Sequence, residues 1–75
     1  MQETSYGVLL FDSTQAALRA EKILKAEGLT VKLIPVPRQL SSDCGISLRF
    51  PFAQVDVVEA TLAAKGLPVA GIHRI

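Results

Sequence analysis

Two stretches of this chain carry apolar residues at helical spacing. A glycine closes each of them, and short strand-like runs flank both. "STQAALRAEKILKAEG" puts Ala16, Ala20, Ile23 and Leu24 on one stripe and stops at Gly28. "FAQVDVVEATLAAKG" turns Val55, Val58 and Leu62 inward and stops at Gly66. At the start of the first stretch, Asp12 or Ser13 supplies an N-cap, and Asp12 with Gln15 has capping-box spacing. Glu21 and Lys25 stand four residues apart, a favourable ion pair on the wet side of the helix.

Four runs read as strands. "YGVLLF" (Tyr6–Phe11) is apolar and ends at the turn signal Asp12-Ser13. "TVKLIP" (Thr30–Pro35) alternates, with Val31 and Leu33 on one face and Lys32 on the other, and Pro35 ends it. "GISLRF" (Gly45–Phe50) alternates again, with Ile46, Leu48 and Phe50 inward and Ser47 and Arg49 outward. "VAGIHRI" (Val69–Ile75) is a short final strand, and His73 reads as a surface residue on it. The order βαββαβ is the split βαβ, ferredoxin-like arrangement. Right-handed crossovers that each skip one strand position then predict an α+β fold. Its four-stranded antiparallel sheet has the order 4-1-3-2, with two helices on one face, in a single domain over residues 1–75.

A chain of 75 residues leaves a large share of its surface exposed, yet 49% of it is hydrophobic. The first strand is apolar on both faces: Tyr6, Val8 and Leu10 on one, Leu9 and Phe11 on the other. One set packs on the helices. The other is expected to lie bare on the open sheet face, and a bare apolar stripe marks an interface. A homodimer through that open face is therefore expected.

Several functions are disfavoured. Eight basic and seven acidic residues give a net charge of +1, which makes no electrostatic case for nucleic acid. The third strand offers no outward aromatic on which a base would stack. The one cysteine cannot form an internal disulfide, and with His73 it cannot complete a four-ligand zinc site, so no metal is expected. There is no glycine-rich phosphate loop, and no cofactor is expected. "MQETSYG" is polar and acidic, so no signal peptide is read. No apolar run approaches the ~18 residues of a membrane span. An unpaired cysteine fits a reducing cytoplasm.

That cysteine, Cys44, lies in "PVPRQLSSDCGISLRF", a polar, proline-stiffened loop. Hairpin connections usually take two to five residues, whereas this one spends about ten. Long structured loops on small scaffolds tend to carry function. A third strand antiparallel to the first would bring Cys44 beside Asp12, Ser13 and Thr14 at the start of the first helix. A helix N-terminus carries roughly +0.5 charge and free N–H groups, which favour a thiolate. Arg38 on the same loop adds positive charge, and Gly45 lets another backbone come close. Asp12 and Asp43 oppose this, and the spacing leaves the balance open. Blander readings remain beside these: capping for Ser13 and Thr14, solvated charge for Arg38 and Arg49, and a partner subunit as an alternative neighbour for Arg49.

Taken together, these residues resemble a known family. Ser13 and Thr14 at the helix start, Ala20, Glu21 and Lys22 within it, Pro35, Pro37 and Arg38, Ser41, Ser42, Cys44 and Gly45, then Arg49 and Phe50 are similar to the pattern of small bacterial selenium/sulfur carrier protein-like domains. The resemblance covers nearly the whole chain. It implies a stoichiometric carrier rather than an enzyme. Such a carrier would hold a sulfur or selenium atom as a persulfide or selenosulfide on Cys44. A cysteine desulfurase or other donor would load it, and an acceptor protein would receive the atom. Arg38, Gly45, Ser13 and Thr14 would complete the site. The alternative reading is a small regulatory or protein-interaction module in which Cys44 is incidental.

Overall fold

A computed structural model of the chain describes residues 5–37, 40 and 45–75. Its elements are β1 (Tyr6–Leu10), α1 (Thr14–Ala26), β2 (Lys32–Pro35), β3 (Ile46–Pro51), α2 (Val55–Ala64) and β4 (Gly71–Arg74). The four strands form one sheet in the order β2-β3-β1-β4, and every neighbouring pair is antiparallel. This is the predicted α+β sheet, read from its other edge.

The register decides which residues share a face. Leu9 lies opposite Leu48, and Gly7 opposite Phe50. On that face Leu9, Phe11, Leu48 and Phe50 join Ala17, Ala20 and Leu24 of α1 and Val58 and Leu62 of α2 in one buried cluster. Fully burying a side chain such as Leu or Phe contributes ~1.5–3 kcal/mol. Helices this short are marginal alone in water, so docking on this face is what holds them. Gly7 leaves room for the aromatic pair here. A Cβ at residue 7 would collide with the Phe50 ring and lie 2.9 Å from Phe52 Cδ1. The Phe50 and Phe52 rings stack with centroids 6.2 Å apart.

The helix ends follow the sequence signals. Ser13 has extended backbone, and its side chain accepts a hydrogen bond from the Ala16 N–H. Gly28 and Gly66 have φ of 83° and 69°, the left-handed conformation that favours glycine just beyond a helix. At each end the next N–H reaches back: Leu29 donates to the Leu24 carbonyl and Leu67 to the Leu62 carbonyl. Those two pairs also bring an apolar residue back onto the core.

Four details differ from the sequence reading. Residues Phe52–Gln54 form a 3₁₀ turn rather than the first turn of α2. The Phe52 N–H donates to the Ser5 carbonyl, which ties the start of this turn to the segment that leads into β1. In α1 the predicted Ala20 and Leu24 are fully buried, with Ala16 and Ile23 partly buried against the core, and the stripe also takes in Ala17, which is fully buried. Ser47 faces outward as the alternation predicts. It lies on the face away from the core cluster but is fully buried, and its hydroxyl donates to the Ile34 carbonyl at 3.3 Å. Finally, the apolar stripe of β1 on that face is not bare. Val8 is 0% and Leu10 5% exposed. Arg49 and His73 lie directly opposite Val8 on its two neighbouring strands, so their long side chains flank it.

Candidate functional site

The predicted site gathers around one end of the sheet. Leu10, the last residue of β1, lies opposite Ser47, near the start of β3. Two residues beyond Leu10 the chain reaches Asp12 and then Ser13, the N-cap of α1. Two residues before Ser47 stands Gly45. The antiparallel pairing therefore brings Gly45 and the N-terminus of α1 to the same end of the sheet. Of the five predicted site residues, Ser13, Thr14 and Gly45 belong to the described structure. Cys44 and Arg38 lie outside the described residues, as do Ser41, Ser42 and Asp43.

Each described residue has a clear local role. Ser13 Oγ caps α1 at 3.1 Å from the Ala16 nitrogen, so its acceptor lone pair is committed to the helix. Thr14 is the first helical residue and is exposed. The first turn of α1 contains no acidic residue, which leaves the positive pole of the helix unneutralised from within. Asp12, exposed beside it, is the nearest carboxylate in sequence. Gly45 is exposed, its carbonyl accepts from the Val36 N–H at 3.4 Å, and a Cβ built on it would meet nothing within 4 Å. Open space on this glycine is what close approach by another backbone requires. Its backbone is not in the left-handed region, so that freedom is not what the fold uses here.

A second group of polar residues was not assembled by sequence reasoning. At the far end of β3, the Arg49 guanidinium lies 4.5 Å from the centre of the Tyr6 ring. Lys32 lies directly opposite Arg49 on β2. A small cleft of about 110 Å³ opens there, lined in part by Tyr6, Lys32 and Arg49. Alternation alone placed Arg49 and Lys32 away from the core. It could not bring them level, because a connection of about ten residues does not fix hairpin register.

Among the described residues, no three His, Cys, Asp or Glu side chains come together as a metal site. No described helix is long and apolar enough to cross a membrane.

No curated protein and no solved structure matches the chain. A family model does match, over residues 6–74, which takes in all four strands, both helices and the sequence positions of Arg38 and Cys44. The chain belongs to the family described as "Putative Se/S carrier protein-like".

Proposed function

We propose that this domain is a chalcogen carrier and that Cys44 is the carrying residue. The observation behind the reading is the family match over residues 6–74, within which Cys44 is the only cysteine and so the only thiol. The Cys44 thiolate would attack the outer sulfur of a donor persulfide, such as one on a cysteine desulfurase. A new S–S bond forms to Cys44, the donor's S–S bond breaks, and the donor leaves as a thiolate. An acceptor thiolate then repeats the exchange on the Cys44 persulfide. Selenium would travel the same way as a selenosulfide. Electrons balance without an added oxidant, and the protein is regenerated after each transfer.

In this proposal the N-terminus of α1, capped by Ser13 and begun by Thr14, faces the thiolate with its positive pole. Arg38 adds a second positive charge. Gly45, next to Cys44 in sequence and open on its exposed side, admits donor and acceptor in turn. The element order and antiparallel sheet support the ferredoxin-like topology on which this placement of Cys44 depends. Action in the cytoplasm, as a stoichiometric carrier rather than an enzyme, is part of the proposal. So is a homodimer through the sheet face away from the helices, although Val8 and Leu10 there are covered.

The test is intact-mass spectrometry after incubation with a cysteine desulfurase and cysteine. The wild-type chain should gain about 32 mass units, one sulfur atom held as a reversible thiol modification. Cys44→Ser should gain nothing.

A further inference from the structure

We propose that the cleft at the far end of β3 is a binding site for a small tetrahedral oxyanion of the phosphate class. Tyr6, Lys32 and Arg49 would be its ligands. The site is independent of the Cys44 chemistry, and it lies on the sheet face through which the homodimer is proposed. It lies four residues along the strand from Gly45, about 13 Å at the ~3.3 Å rise of a strand.

The charge arrangement is the first observation. Lys32 and Arg49 are direct cross-strand partners, and Val8 separates Arg49 from His73 in the same row. These side chains therefore share the sheet face away from the helices. Like charges directly opposite one another on a sheet are destabilising. Among the described residues no carboxylate forms an ion pair with Lys32 or Arg49. Among the described residues the one ion pair is Lys25 with Glu21, on α1. The described acids Asp12, Glu21, Glu27, Asp56 and Glu59 all lie outside the strands. A bound anion would convert the repulsion into attraction.

The second observation is the geometry of the donors. Arg49 is half-buried with its guanidinium carbon 4.5 Å from the centre of the Tyr6 ring, a cation–π contact that helps to position it. A planar guanidinium matches two oxygens of an oxyanion at once, an ammonium adds a point charge, and a phenol adds one O–H donor. All three residues line the same cleft, together with Thr30 and Pro51. At about 110 Å³ the cleft is well below the ~300–1,000 Å³ of sites for larger organic ligands. A free oxyanion suits that volume.

The test is an NMR titration of the full chain with inorganic phosphate, with chloride at matched ionic strength as the control. Phosphate should move the Tyr6, Lys32 and Arg49 amides saturably, with a midpoint of about 1 mM or tighter. Chloride should not. Arg49→Gln and Lys32→Gln, with their spectra otherwise dispersed as in wild type, should each weaken binding about 10-fold or more, as expected for losing a hydrogen bond to a charged group. Cys44→Ser should bind as wild type does. Shifts that never saturate, equal shifts with chloride, or unchanged affinity in Arg49→Gln would overturn the proposal. So would tighter binding of an acidic peptide across Lys32, Arg49 and His73 with no response to phosphate.

Discussion

Ser47 of β3 lies opposite Ile34 of β2 and donates its hydroxyl to the Ile34 carbonyl from a fully buried position. This bond ties β2, an edge strand only four residues long, to the strand that begins two residues after Cys44 in sequence. Ser47→Ala should therefore cost about 1 kcal/mol, the usual net contribution of one hydrogen bond. For a domain of this size that lowers Tm by roughly 4–8 °C. Thermal unfolding checks it, and an unchanged Tm would mean the hydroxyl contributes nothing.

Gly7 is the tightest point in the core face. Gly7→Ala would drive a methyl group into the Phe50 ring, with Phe52 close behind. Overpacking of this kind costs about 1–3 kcal/mol. Chemical denaturation should show a lower midpoint at an unchanged slope. Gly45→Ala, at the other end of β3, serves as the contrast, since among the described residues nothing lies within 4 Å of a Cβ there, and its stability should stay within about 0.5 kcal/mol of wild type.

Ser13 caps α1 with its own oxygen. Ser13→Ala should cost ~0.5–2 kcal/mol, whereas Ser13→Asp should restore most of it, because a carboxylate also accepts from the N–H groups of the first turn. The two variants separate capping from chalcogen chemistry. Both keep Cys44, and Ser13→Asp additionally places a negative charge at the helix end proposed to favour the thiolate. Its alkylation rate should therefore fall while its stability holds.

Much of the fold was legible in the sequence because its signals are local. The apolar run of β1, the cap at Ser13 and the stops at Gly28 and Gly66 each depend on a few neighbouring residues. Alternation in β3 correctly sent Leu48 and Phe50 to the core. What escaped depends on contacts distant in sequence. Ser47 is covered because β1 and β2 lie on both sides of it, with Leu10 and Ile34 as its cross-strand partners. Phe52 lies in a 3₁₀ turn and bonds to Ser5, far away in the chain. Tyr6, Lys32 and Arg49 come from three strands, and only the register brings them together. The candidate site was legible in part. The pairing of Leu10 with Ser47 brings Gly45 to the end of the sheet where Ser13 and Thr14 begin α1. Cys44 and Arg38 are legible only as residue types in a long polar segment before β3 and through the family resemblance, and both lie outside the described residues.

The proposed activation of Cys44 has a direct pH signature. A thiolate favoured by a helix N-terminus and by Arg38 ionises at lower pH than free cysteine, whose ordinary value is ~8.5. The alkylation rate by iodoacetamide should therefore reach half its maximum below that pH. Arg38→Gln removes one positive charge and should move the midpoint upward. A wild-type midpoint at or above that of free cysteine would remove the electrostatic part of the proposal.

Self-association can be read by light scattering at micromolar concentration. A homodimer is the expected result, and a monomer would remove that expectation without touching the carrier chemistry.

The most direct measurement is the mass of the chain after exposure to a loaded cysteine desulfurase, followed by peptide mapping. A reducible gain of one sulfur located on Cys44, then lost to an added acceptor thiol, is the expected outcome. An unmodified Cys44 beside a desulfurase that loads other carriers in the same reaction would contradict the carrier role.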